Sequence, residues 1–184
     1  MSGRETGRIF ITQTHGGRLA SASYPVTGFV TGEVDGTPTS IALLGGGTAL
    51  VTPTGADNDQ ASVIELSSDR VLVQVPLDVA SFSALTAPDS ETVYLGTNDG
   101  RVLEFDVASS AVTGSIDLAL ELGRVNHLAL NPAGTLLYAS SFTTGTISEI
   151  DLATKSVART FFVGGEPQGL AVSLAVAAGL TLGP

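Results

Sequence analysis

Two sets of residues in this chain of 184 carry groups able to do chemistry. The first is a set of recurrent acids: Glu104/Asp106 and Glu149/Asp151 stand at matching places 45 positions apart, and Glu65 replaces the aspartate in an earlier copy. A spacing of two puts both carboxylates of a pair on one face of a strand, which is what acid–base work by paired carboxylates would need. An aspartate followed by Val/Leu-Ala-Ser/Thr, however, opens a hairpin turn in which the carboxylate accepts backbone N–H groups. A residue repeated from unit to unit is more readily a device of the fold than a catalyst. These acids are therefore read as structural.

The second set lies at the ends of apolar runs. Asp35, Arg124, Asn126, His127, Glu166 and Gln168 fall in links, and His15, Asp57, Asn58, Asp59, Asn98 and Asp99 fall in loops. Gathered on one rim, such acids and amides would hold a polar ligand or a hydrated divalent cation. The competing explanation is that turn-forming residues collect in any turn. His127 stands apart, because Ser40, Ser83 and Gly169 occupy its place in the other copies. With Arg124 and Asn126 beside it, His127 could serve as a base or an anion-binding group; a packed histidine is the plainer alternative. Asp57-Asn-Asp is too short to count as an ion site, and no metal ligand set is assigned. The sequence has no Gly-x-Ser-x-Gly elbow, phosphate-cradling loop, His-Glu-x-x-His or calcium-loop pattern.

The elements that must position these residues repeat. Pro88 and Tyr94 recur as Pro132 and Tyr138, 44 positions on, and the stretch from Gly100 recurs from Gly145. Gly36-Thr-Pro-Thr-Ser-Ile-Ala-Leu recurs as Gly165-Glu-Pro-Gln-Gly-Leu-Ala-Val, three periods later. A period near 43 with four short apolar runs in each unit predicts an all-β propeller of four-stranded antiparallel blades. The units are 36–78, 79–121 and 122–165, with a further blade built from 7–35 plus 166–173, all in one domain. The N-terminal copy lacks its first strand, and Gly169–Ser173 offers a spare one. The expectation is a ring of about four blades closed by pairing of the N- and C-terminal strands, since a bare edge strand invites aggregation. The alternative is an open fragment of a larger propeller, or chains that associate with one another to complete a ring. Beyond Ser173 the pattern fails.

The pattern Asn-Pro-x-Gly-x-x-x-Tyr, Gly-Thr-Ile-x-x-Ile-Asp-x-Ala-Thr and Gly-Gly-x-Pro in residues 123–172 resembles the YVTN family of β-propeller repeats. Residues 79–121 match moderately and 7–78 weakly, and Tyr138-Ala-Ser-Ser stands in place of the namesake tetrapeptide. The resemblance implies larger, often seven-bladed rings in relatives, several of them extracytoplasmic or lactonase-like. It implies a sugar-lactone hydrolase as the alternative to a non-catalytic binding scaffold, with His127, Arg124 and Glu166 as the residues that would act.

Composition narrows the classes. The net charge of −10 repels phosphate backbones, so nucleic acid is not an expected partner. With no cysteine there are no disulfides, thiolate metal sites or cysteine-attached haem, and the absence of tryptophan disfavours a quinone propeller. No cofactor is expected beyond the divalent cation considered above. The polar start (Met1–Arg8) has no apolar signal core behind it, and the apolar tail Leu170–Leu182 is too short to cross a bilayer. The chain as it stands reads as soluble, of open compartment, with a protein or a small polar ligand as its partner.

Overall fold

The computed structural model describes residues 7–13, 18–24, 30–33, 37–54, 60–68, 70–119 and 123–173. These form fifteen strands in four antiparallel sheets, each a simple meander. The first blade has three strands, β1 (Gly7–Gln13), β2 (Arg18–Tyr24) and β3 (Val30–Glu33). The second has β4 (Thr37–Leu43), β5 (Thr48–Thr54), β6 (Gln60–Glu65) and β7 (Arg70–Pro76). The third has β8 (Ser81–Thr86), β9 (Thr92–Thr97), β10 (Arg101–Asp106) and β11 (Ala111–Asp117). The fourth has β12 (Val125–Leu130), β13 (Leu136–Ser141), β14 (Thr146–Asp151) and β15 (Ser156–Phe162).

Burial explains why the middle strands read as near-continuous apolar runs. A sheet covered on both faces cannot alternate apolar with polar. On β9, Val93 and Leu95 point to the second blade and join Leu50, Val63 and Val75. Tyr94, with Val102 of β10 and Ile116 of β11, points the other way and joins Leu137, Ala139 and Ile150 of the fourth blade. Each such side chain removed from water stabilises the stack by about 1.5–3 kcal/mol. The outermost strands β7 and β15 are mostly exposed and β11 partly so.

Two irregularities recur in every four-stranded blade. The innermost strand carries a bulge that leaves Thr39, Phe82 and Asn126 at equivalent places. A second bulge leaves Leu72, Thr113 and Ala158 unpaired on the outermost strand, opposite the step after Val63, Glu104 and Glu149. Bulges add twist and re-aim a side chain, and the inner one decides what faces the axis. Adjacent blades are also stitched by hydrogen bonds: the Ala84 N–H donates to Ser40 Oγ (2.9 Å) and Thr86 Oγ1 to the Leu43 carbonyl (2.8 Å).

The repeat and the strand order are as the sequence implies, but closure is not. Among the described residues β1 pairs with β2 alone, and no described strand pairs with its other edge. It packs on β4 as β5 packs on β8 and β9 on β12, so it is a second strand whose first is missing. Gly169–Ser173, expected as that strand, forms no strand and joins no sheet. Gly164 and Gly165, both at positive φ, turn the chain beside Gly145 after β15, and the residues that follow lie exposed, away from any ladder. The expected pairing of the two termini is therefore corrected, and the alternative, an open arc of blades, describes the molecule. Pro76 is the last residue of the outer strand β7, where a missing N–H is tolerated, and pairs with Gln60 of β6.

Candidate functional site

Where the third blade meets the fourth, the chain enters β12 through Arg124. Its guanidinium carbon lies 4.7 Å from the centre of the Phe82 ring and 4.5 Å from that of Phe142. Its Nε–H donates to Asn126 Oδ1 at 2.6 Å. The backbone is pinned as well: Arg124 N–H donates to Thr143 Oγ1 (3.2 Å), and the Phe142 N–H donates to the Arg124 carbonyl (3.1 Å). Each ring contact contributes about 0.5–1 kcal/mol at an exposed site and about 2 when dry. The guanidinium plane and direction are thus fixed by two rings and one amide.

The bulges make this possible. Phe82 and Asn126 are the bulged residues of β8 and β12, so both are aimed out of the regular alternation at the same level of the arc. His127 follows Asn126, is exposed, and places Nδ1 3.0 Å from the Asn126 carbonyl. A carbonyl only accepts, so Nδ1 carries the hydrogen and Nε2 is left to the solvent side.

Among the described residues the ion pairs are Arg101 with Asp78 and Asp99, Lys155 with Glu104, and Arg159 with Glu149; Arg124 is in none of them. Arg101 makes the contrast clear. It lines a cleft of about 330 Å³ with Leu77, Asp78 and Val112, but its charge there is already met by two carboxylates. Arg124 is instead presented by neutral groups, which orient a cation without cancelling it.

The other expected rim residues are distributed differently. Asn98 is exposed and its N–H donates to the Ala80 carbonyl at 3.0 Å. Asp99 closes its own hairpin, accepting from Arg101 Nε at 2.8 Å and from Thr97 Oγ1. Burial pushes its carboxyl up, and the hydrogen bonds from Arg101 and Thr97 outweigh this and hold it below the usual carboxylate range. Glu166 and Gln168 are exposed in the segment after β15, with no hydrogen bond to Arg124 or His127. His15, Asp35, Asp57, Asn58 and Asp59 lie outside the described residues. Among the described residues no three or more His, Asp or Glu side chains come close enough to hold a metal ion, and no helix is long and apolar enough to cross a membrane.

The recurrent acids are accounted for by the fold. Asp106 accepts the Ser109 N–H (2.7 Å) and Asp151 the N–H groups of Ala153 and Thr154 (2.8 and 3.0 Å). Two site residues escape a reading of the polar residues alone: Phe82 and Phe142. A signal was present, since Phe82 stands where the other blades have Thr39 and Asn126, and Phe142 where they have Thr54 and Asn98. An aromatic in a polar place of a repeat marks a departure from what the fold requires.

The sequence matches no protein-family model and no curated protein. Among solved structures the fold is similar to the Kuenenia stuttgartiensis hydrazine synthase, with a TM-score of 0.71 and 21% identity over 82% of this chain. The match covers 44% of that chain, so this one spans less than half of its length. At such identity the likeness concerns the fold.

Proposed function

We propose that the chain is a non-catalytic β-propeller scaffold of the YVTN-repeat kind that binds a protein or small polar ligand through an anionic group seated on Arg124. One observation carries this reading. Arg124, Phe82, His127 and Phe142 depart from their counterparts in the other blades; Phe82, Phe142 and Asn126 meet at Arg124, and His127 contacts the Asn126 carbonyl. Positions that only build the blade recur; positions that differ and converge are the ones a ligand would select. An arginine held flat and open suits a carboxylate, which it can meet with two parallel N–H donors.

The test is titration of the chain with citrate, following the Arg Nε–H resonances by NMR. A saturable shift of one resonance, lost in Arg124→Ala and weakened at least tenfold in Arg124→Lys, supports the reading. Absence of any shift at tens of millimolar citrate overturns it.

A second reading, a lactonase-like hydrolase, is favoured by one feature: exposed His127 is held through Nδ1 by the carbonyl of Asn126, whose side chain accepts from Arg124. Lactone turnover abolished by His127→Ala would establish it, and turnover unaffected by that change would remove it.

A further inference from the structure

The two ends of the arc are open in complementary ways. At its far end, the outer face of the fourth blade carries Tyr138 of β13, Ile147 of β14 and Phe161 of β15, with Ile147 directly opposite Phe161 and Tyr138 diagonal to Ile147. Their counterparts in the third blade are Tyr94, Val102 and Ile116, which the fourth blade buries to 8%, 0% and 2% exposure. Phe161 is 42% exposed, and Phe162 and Val163 beyond it 80% and 51%. The same repeat positions that elsewhere form an interface between blades therefore stand uncovered.

At its near end, no described strand pairs with the outer edge of β1. Phe10 packs on the second blade, and Ile11, on the opposite face, is 41% exposed. The edge lacks a first strand, and Gly165–Val172 has the sequence of one without being in a sheet.

We infer that the occupant of both ends is a second copy of this chain, joined head to tail so that two arcs make one ring. Each copy lays the Tyr138–Ile147–Phe161 face of its fourth blade against the Ile11 face of the other's first blade. Each donates its Gly169–Ser173 segment to the other's β1 edge. The register follows from the second blade, where Ile41 pairs with Val51; the repeat places Leu170 at the position of Ile41 and Ile11 at that of Val51. Leu170 of one copy then lies opposite Ile11 of the other. Such an assembly closes by two heterologous contacts and leaves no edge bare.

Light scattering on the purified chain should give about twice its 18.6 kDa. Phe161→Asp and Ile11→Asp should each halve that mass. Mixing the two variants should restore the double mass, because one wild-type contact then survives. A single chain carrying Leu170→Cys and Ile11→Cys, in this otherwise cysteine-free sequence, should cross-link between copies and run as a dimer on a non-reducing denaturing gel. A monomer in scattering, or cross-linking wholly within one chain, would overturn the inference. Circular dichroism of each variant separates loss of assembly from loss of fold.

Discussion

Lys155 of the fourth blade places Nζ 2.6 Å from Glu104 Oε2 of the third. The equivalent glutamate, Glu149, is neutralised by Arg159 of its own neighbouring strand, with Nε 2.8 Å from Oε1, and accepts the Tyr138 hydroxyl at 3.0 Å. The difference has a local cause. Opposite Glu104 stands Gly114, where an added Cβ would run into the Glu104 carboxylate, so no side chain of that strand can serve. The cation comes from the next blade, on a turn where Lys155 holds a positive φ of 52°.

Removing that cation should expose its role. Lys155→Met leaves the 8%-exposed Glu104 without its charged partner, at a cost of about 1–3 kcal/mol. In the second blade the position of Glu104 is held by Val63, an apolar residue packed in the core. The double change Lys155→Met with Glu104→Val should therefore recover most of the loss. Urea unfolding of the two singles and the double decides this; a double variant no better than the worse single would show that the pair is not what limits stability.

Stability should fall in acid, with Glu149 contributing. The Arg159 hydrogen bonds hold its carboxyl below the usual carboxylate range, helped by Tyr138 and opposed by burial. A carboxyl depressed in the folded state stabilises above its unfolded pKa, near 4, and the contribution is lost as pH falls through the folded value. Arg159→Gln should be less stable than the parent at neutral pH and approach it as pH drops below about 4. Thermal midpoints across that range give the measurement. A gap between the two proteins that stays constant with pH would remove Glu149 from the account.

Asn126→Asp tests the electrostatic argument at the candidate site. The aspartate is nearly isosteric and can still accept the Arg124 Nε–H, now at 2.6 Å from Oδ1. It would also cancel the charge that an anionic ligand needs. Stability should be unchanged or slightly higher, while citrate binding should fall at least tenfold. Retained binding would mean that Arg124 does not receive the anion.

How much of this was legible follows from what each signal encodes. Pro88/Pro132, Tyr94/Tyr138 and Gly100/Gly145 fix the period and the turns because each answers to a local need of every blade. Gly165–Val172 shows the other side. Its residues encode the ability to pair, but the partner edge is a matter of where the chain turns at Gly164 and Gly165, which strand preference does not contain. His127 could be picked as a departure from the repeat, with Arg124 and Asn126 beside it in the same link. Phe82 and Phe142 depart from it too, but their contact with Arg124 was not legible, since Phe82 reaches Arg124 through the β8 bulge, and a bulge shared by three blades leaves no mark in the spacing.

The tightest approach between blades lies at Gly96, and its substitution should be the most damaging of the small changes. The same place holds Thr52 in the second blade and Ser140 in the fourth, so a side chain is compatible with the strand itself. In the third blade a Cβ would lie 2.6 Å from Val125 Cγ1 and closer still to Ser83 Oγ. Val125 is fully buried at the entry to β12, one residue from Arg124, and has no room to yield. Overpacking of this kind costs about 1–3 kcal/mol, and Gly96→Ala should lose that much. Because the strain falls on β12, it should also disturb the Arg124 Nε–H resonance. Gly45→Ala, which meets nothing within 4 Å, should leave both unchanged or raise stability by about 0.4–1 kcal/mol. Relief of the Gly96→Ala defect by Val125→Ala would place the clash at the blade junction; equal losses with and without that second change would place it elsewhere.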